Sequence, residues 1–409
     1  MTEYSAKHSS TDIDVEELSF KIQRGAMQIL GSFLNGGFSM KGFLLFPLYS
    51  DVNSNIFCQI RDILDNCRVL YQQEGWFKRS VVFANRYKLN PLTEITVAKF
   101  LEVVYKDLRD WVAICGLNLR KEEIKLLRFD DNDYSVKFLS PVIGLKIYAK
   151  RELSGSLHSL LIHGSLSTLD YVKGWSDFDT FMVLKDSCFE NYLNLIELRR
   201  KIYKSRKYLY QIDPLQHHGH FIVTEIDLQC YPNSFLPTVV LKNAKPLFGP
   251  SKIKLRKRDD NTEVLRNLEN TYKAIKAYAN VKRPNIYQRK QFYHYVLLFP
   301  CLFLQSIGKP TYKRESFEIA KSYFESRLWE VIEEITKIRA NWDPSYFEKF
   351  YVKTSWNPTL GRLISNKIPN LLIKGSKKHK QLVKMAEKLF DEGLKIIKNN
   401  MFRSGYNDA

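Results

Sequence analysis

Six cysteines, Cys58, Cys67, Cys115, Cys188, Cys230 and Cys301, are scattered through 409 residues and form no C-x-x-C pair. That spacing argues against a disulfide scaffold or a cysteine-rich zinc module, and a reducing cytoplasm fits it best. No stretch approaches the ~18 uninterrupted apolar residues that a spanning helix needs. Met1 to Asp14 is polar and acidic, unlike a signal peptide. A soluble chain without a membrane partner is expected. Internal repeats and low-complexity segments are also lacking, and with 44% hydrophobic and 26% charged residues a disordered chain is excluded.

Negative charge is scarce. The chain has 44 acidic against 63 basic residues, a net charge of +19 and a pI near 9.4. Such an excess points to an anionic partner, and nucleic acid, nucleotide or a membrane surface would each satisfy it. Its placement is uneven: Ser251 to Ala409 holds 32 basic and 16 acidic residues, so +16 of the charge belongs to this part.

The length allows about two or three domains. Asp12 to about Gly116 reads as helices, with apolar residues at intervals of three and four in Val97, Leu101, Val104, Tyr105, Leu108, Trp111 and Val112. From Ser154 to Gly249, short apolar runs such as Leu160 to Ile162, Phe181 to Leu184 and Phe221 to Val223 alternate with helical patterns, the texture of an α/β domain. Lys252 to Asn261 reads as a basic linker or exposed turn. Helical periodicity then returns, including one long helix from Phe317 to Ile338. The expected organisation is an α-rich region over 1–150, an α/β domain with a mixed sheet over 151–250, and a basic α-helical domain over 251–409.

The segment from Leu160 to Lys185 carries the chemistry. A strand ends in Gly164-Ser165, polar residues follow, and a second strand opens with Asp177-Phe178-Asp179. Side chains alternate along a strand, so the two aspartates share one face while Phe178 enters the core. Carboxylates at that spacing can bind a pair of divalent ions, which in two-metal sites lie about 3.5 to 4 Å apart and clamp the attacking and leaving oxygens of a phosphoryl displacement. Glycine allows close approach of the backbone to a phosphate, and serine adds a hydroxyl and an N–H. A D-x-D at a strand start is also a common solvated turn; the Gly-Ser after the preceding strand favours the functional reading.

Strand, Gly-Ser, short helix, then a strand bearing Asp-x-Asp resembles the nucleotidyltransferase superfamily of DNA polymerase β, over about 95 residues from Leu157 to Gly249. The resemblance implies an enzyme that uses two Mg²⁺ ions, or Mn²⁺, to move a nucleoside monophosphate from an NTP to a hydroxyl acceptor with release of pyrophosphate. Gly164 and Ser165 would grip the β- and γ-phosphates, and Asp177 and Asp179 would hold the ions. It also implies a third carboxylate on a neighbouring strand. Asp213, in the strand-like run Tyr208 to Leu215, is favoured over Asp227, which reads as the first turn of a helix capped by Thr224. Pro214 departs from the family pattern and suggests an edge strand or bulge.

The remaining candidates have competing explanations. His217, His218 and His220 could bond a phosphate, the acceptor or a metal, or serve a local structural role. Lys173 could touch phosphate or be a solvated loop charge, and Tyr171 and Trp175 could stack on a base or anchor their loop. The basic patches at 256–258, 282–283, 289–290 and 374–380 are interleaved with Tyr278, Tyr287, Phe292 and Tyr293, a pattern that could serve nucleic acid. No RNA-recognition motif accompanies them, so nucleic acid is not the favoured acceptor over a small molecule or protein. Two alternatives stay open: a degenerate relative that binds nucleotide or RNA without turnover, and a polymerase-like or cyclic-oligonucleotide-forming enzyme.

Overall fold

The computed structural model describes residues 14–36, 52–87, 89, 92–213, 215–216, 218–281, 284, 286–342 and 377–404. Among the described residues four helices come first: α1 (Val15–Leu34), α2 (Val52–Glu74), α3 (Lys78–Arg86) and α4 (Glu94–Ile114). Asp14 starts α1 by accepting the Glu17 N–H at 2.9 Å, and Thr93 starts α4 by accepting the Thr96 N–H at 3.1 Å. Each bond satisfies a donor that the first helical turn leaves without a backbone partner. The periodic residues Val97, Leu101, Val104, Tyr105, Leu108 and Trp111 form the buried face of α4, as their spacing predicts.

Beyond β1 (Arg120–Lys125) and α5 (Ser140–Tyr148) the chain alternates. In order come β2 (Leu157–Ile162), α6 (Ser165–Thr168), β3 (Thr180–Leu184), α7 (Tyr192–Ile212), β4 (Phe221–Thr224), α8 (Glu225–Gln229), β5 (Tyr231–Pro232), α9 (Thr238–Leu241), β6 (Lys245–Phe248) and β7 (Lys252–Arg258). One sheet has the order β4-β3-β2-β6, with β2 antiparallel to β3 and β6 and β3 parallel to β4. A parallel pair requires a crossover, and α7 supplies it. A smaller sheet has the order β1-β7-β5.

Period-two alternation divides the strand residues between two faces. Leu160, Ile162, Met182, Leu184 and Ile222 pack into one core with the N-terminal helices. Leu161, Phe181, Val183 and Val223 pack instead against Ile124, Tyr231, Ile253 and Leu255 of the smaller sheet. Helices α10 (Asn261–Ala279), α11 (Ile286–Ser306), α12 (Lys313–Lys321), α13 (Ser326–Ala340) and α14 (Lys377–Ser404) have a separate core around Leu268, Phe292, Phe299, Trp329 and Phe390. The fold is therefore mixed α/β, with two small sheets flanked by helices. Among the described residues, no helix is long and apolar enough to cross a membrane.

Three sequence expectations need correction. Lys252 to Arg258 is not a linker but strand β7, because Ile253 and Leu255 alternate with outward lysines and pair with β1. The run from Tyr208 is not a strand: α7 continues to Ile212, since the stripe Leu195, Leu198, Ile202, Leu209, Ile212 stays on its buried face, and Asp213 is its C-cap. The long helix expected from Phe317 to Ile338 is two helices, α12 and α13, separated at residues 322–325.

Asp227 occupies the helix start that its sequence context predicts. It forms a capping box with Thr224 and accepts hydrogen bonds from Gln23 at 3.1 Å and Tyr105 at 3.3 Å. Burial pushes its carboxyl up to about 6, against those hydrogen bonds. With an unfolded value of about 3.9, this group's stabilising contribution is complete below about pH 4 and is lost as pH rises through about 6. The stability advantage of the native chain over Asp227→Asn should therefore fall between those pH values by on the order of 2 kcal/mol in urea denaturation. A difference independent of pH would show that the native carboxyl titrates normally.

Candidate functional site

Asp177, Phe178 and Asp179 lie immediately before β3, in backbone held from both sides. On one side the His163 N–H donates to the Asp179 carbonyl at 3.0 Å. On the other, β4 begins only at Phe221, and the Gln216 side-chain amide takes the place of a strand partner. Its Oε1 accepts the Phe178 N–H at 2.9 Å and its Nε2 donates to the Phe178 carbonyl at 3.4 Å. Phe178 is fully buried in the first core, as alternation predicts.

Gly164 follows β2 with φ +67° and ψ −157°, a conformation essentially restricted to glycine. A Cβ at this position would collide with Asp179 Oδ2. The glycine thus brings bare backbone against the carboxylate, and Ser165 opens the single turn of α6. Tyr134, donating to the Leu166 carbonyl at 2.9 Å, and Ser167, donating to the Asn243 carbonyl at 2.6 Å, hold that turn in place.

His218 joins the two aspartates. Its Nε2 lies 3.0 Å from Asp179 Oδ1 and 3.7 Å from Asp177 Oδ2, and one ligand atom from each of the three residues falls within 4.8 Å of the others. Its Nδ1 lies 2.9 Å from the Gly219 carbonyl oxygen and 3.3 Å from Gln216 Nε2, contacts that orient the ring with Nε2 directed at the carboxylates. Burial alone would lower the imidazole's affinity for a proton, but hydrogen bonds to Asp177 and Asp179 raise it well above the ordinary value. Burial likewise works against the Asp179 carboxylate, and His218 more than compensates, so its carboxyl titrates below the usual range. Two carboxylates and an imidazole that already stabilise a positive charge between them fit a divalent cation.

The other oxygen of Asp177 faces a different cation. Lys290 of α11, 2% exposed, places Nζ 3.0 Å from Asp177 Oδ1 and 2.6 Å from Asp213 Oδ2. Burial opposes the ammonium charge, but the two carboxylates outweigh it and its pKa is raised. Burial pushes the Asp213 carboxyl well above its ordinary value, with Lys290 pulling against it. Asp213 Oδ1 also accepts the Leu215 N–H at 3.0 Å. Asp213 is thus joined to Asp177 both through Lys290 and by a direct side-chain hydrogen bond between the two carboxyls, and it lies outside the Asp177–Asp179–His218 group. Four residues along α11, His294 Nδ1 lies 4.0 Å from Asp177 Oδ2, and its ring stacks on Trp175 at 4.8 Å with the planes 4° apart.

The other expected residues take different places. His220 is buried between Thr180 Oγ1 at 2.6 Å and Ser205 Oγ at 2.8 Å, and burial lowers its pKa to about 3, a local structural role. His217 and Pro214 lie outside the described residues. Lys173 is exposed, with Nζ 5.6 Å from the Phe138 ring centre, and Tyr171 stacks on the same ring. Trp175 is a buried anchor in the helical core. Phe292 and Tyr293 are interior, and Tyr278 bonds the buried His379 at 2.5 Å, so these aromatics belong to packing. Lys282 and Arg283 are outside the described residues.

Lys290, His294 and Lys313 were not legible as site residues, because no local pattern ties them to the Asp-x-Asp segment. Lys313 follows Tyr312, whose hydroxyl lies 3.4 Å from Thr168 Oγ1 in α6. Burial lowers its pKa, with Arg339 also acting against its charge and Asp179 and Asp177 acting to support it. No family model, curated protein or solved structure matches the chain.

Gly164→Ala should test whether this backbone sets the position of Asp179. The strained conformation and the collision should cost on the order of 1–3 kcal/mol of stability, and displacement of Asp179 should weaken Mn²⁺ binding about tenfold. Both are measurable, by denaturation and by water-proton relaxation titration. Unchanged Mn²⁺ affinity would detach the glycine from the site.

Proposed function

We propose that the chain is a divalent-cation-dependent nucleotidyltransferase, moving a nucleoside monophosphate from an NTP to a hydroxyl acceptor. The observation that carries this reading is the glycine turn packed directly on Asp179, with Asp177 and His218 completing the cation group. In this reading the Gly164-Ser165 turn meets the triphosphate, with Lys313 and Arg339 supplying positive charge on the facing helices. Asp177, Asp179 and His218 hold the cation. When bound, the cation neutralises phosphate charge and lowers the pKa of the acceptor hydroxyl.

The acceptor oxygen forms a bond to the α-phosphorus while the bond from that phosphorus to the bridging oxygen breaks. The hydroxyl proton leaves to solvent, and pyrophosphate carries away the bonding electrons. The residues contribute positioning and charge complementarity, which suit a reaction of this kind. Asp213, expected from the resemblance to be the third metal ligand, is assigned here to securing Lys290, and His218 takes the third-ligand role. All six cysteines are free.

Thermal stabilisation by each NTP with Mg²⁺ or Mn²⁺, followed by pyrophosphate release in the presence of cell extract, tests the reading. Release is expected with at least one NTP, and Asp179→Asn should reduce it on the order of 10²-fold or more while remaining folded. Stabilisation without release for any NTP would favour a nucleotide-binding protein that has lost turnover, the alternative that a histidine in place of a third carboxylate supports.

A further inference from the structure

We infer that the site holds one divalent cation rather than two, and that the ammonium of Lys290 stands in for the second. This rests on the cation reading of Asp177, Asp179 and His218. In a two-metal centre a shared carboxylate serves ions about 3.5 to 4 Å apart. Here the two oxygens of Asp177 have different assignments: Oδ2 faces His218 at 3.7 Å, and Oδ1 receives Lys290 at 3.0 Å. The second carboxylate that a further ion would need, Asp213, is bound by the same ammonium at 2.6 Å.

This ammonium is held by the fold. Lys290 is 2% exposed, and its Nζ lies 5.9 Å from the Trp175 ring centre. That tryptophan is itself fixed by stacking on His294, one helical turn along α11. A divalent ion entering between Asp177 and Asp213 would have to displace the lysine head from both carboxylates and from its packed surroundings. At the Asp177–Asp179–His218 group the three ligand atoms already lie within 4.8 Å of one another, and no lysine head stands between them. Coulomb repulsion between the ammonium and a neighbouring dication further disfavours a second ion.

The third ligand is also changed in kind. Imidazole suits Mn²⁺ and later divalent metals better than Mg²⁺, which demands oxygen ligands. Mn²⁺ is therefore the appropriate probe as well as the cation expected to bind more tightly.

Electron paramagnetic resonance of the full chain with Mn²⁺, alone and with inorganic tripolyphosphate, provides the test. One magnetically isolated Mn²⁺ per chain is expected. Lys290→Gln, close in size and uncharged, should tighten the binding of that ion roughly tenfold or more by removing a positive neighbour. Lys290→Ala should admit a second ion, seen as a spin-coupled pair. Circular dichroism establishes that each variant is folded, and the native measurement remains decisive if either variant is not.

A spin-coupled pair in the native chain would overturn the single-cation inference while leaving the cation site standing. Mn²⁺ affinity unchanged in folded Lys290→Gln would overturn the role given to the lysine. Failure of the native chain to bind Mn²⁺ in either condition would remove the cation reading itself, and the inference with it.

Discussion

The buried ammonium of Lys290, between Asp177 and Asp213, is the contact on which the arrangement of the site depends. The lysine comes from the helical core and the carboxylates from the α/β part, so the two packed bodies meet at an ion pair excluded from water. Removing ions from water costs several kcal/mol each, and breaking such a pair by deleting one partner typically costs about 3–5 kcal/mol. The contact therefore contributes specificity of placement more than net stability. His294, one turn further along α11, adds a second tie by stacking on Trp175, which belongs to the loop leading into the aspartates.

From Asp177 the dependence runs outward through backbone. The aspartates precede β3, where ordinary ladder pairing with β4 has not begun, and the amide of Gln216 supplies the two hydrogen bonds that another strand would have made. The same segment then turns His218 toward Asp179. Residues 215–216 and 218–220 thus perform three tasks: they end the crossover from α7, extend the sheet by a side chain, and deliver an imidazole to the carboxylates. Their sequence resembles no regular strand because these tasks require particular side chains at positions where a strand would need only alternation.

That explains how far the sequence could be read. Gly164, Asp177 and Asp179 were legible because their spacing lies within one hairpin-like unit, where chain geometry fixes which residues meet. Asp227 was legible because capping is local. The strand expected before Asp213 misled because Tyr208 to Ile212 has strand-like composition, while the stripe that keeps the run helical begins as far back as Leu195. His218 was among the candidates, but alternation could not single it out, since the segment before β4 is irregular. Lys290 lies 113 residues from Asp177; a contact at that separation is set by how the helical body docks, and no local pattern encodes docking.

The C-terminal charge can be considered in the same way. Its most informative cations are interior ones: Lys290 binds two carboxylates, and Arg258 is buried with its guanidinium 3.8 Å from the Phe20 ring centre, where burial lowers its pKa to about 10. Lys257 pairs with Asp259 at 3.1 Å. The aromatic residues that seemed interleaved with basic patches as a stacking surface are largely core residues, packed around His379. Stacking on nucleic-acid bases requires an accessible ring face, and Phe292 and Tyr293 have already spent theirs on the protein interior. The net charge of this region is thus a sum over unlike environments. A cation buried against carboxylates positions the candidate site, and only those left at the surface contribute to a long-range field for an anionic partner.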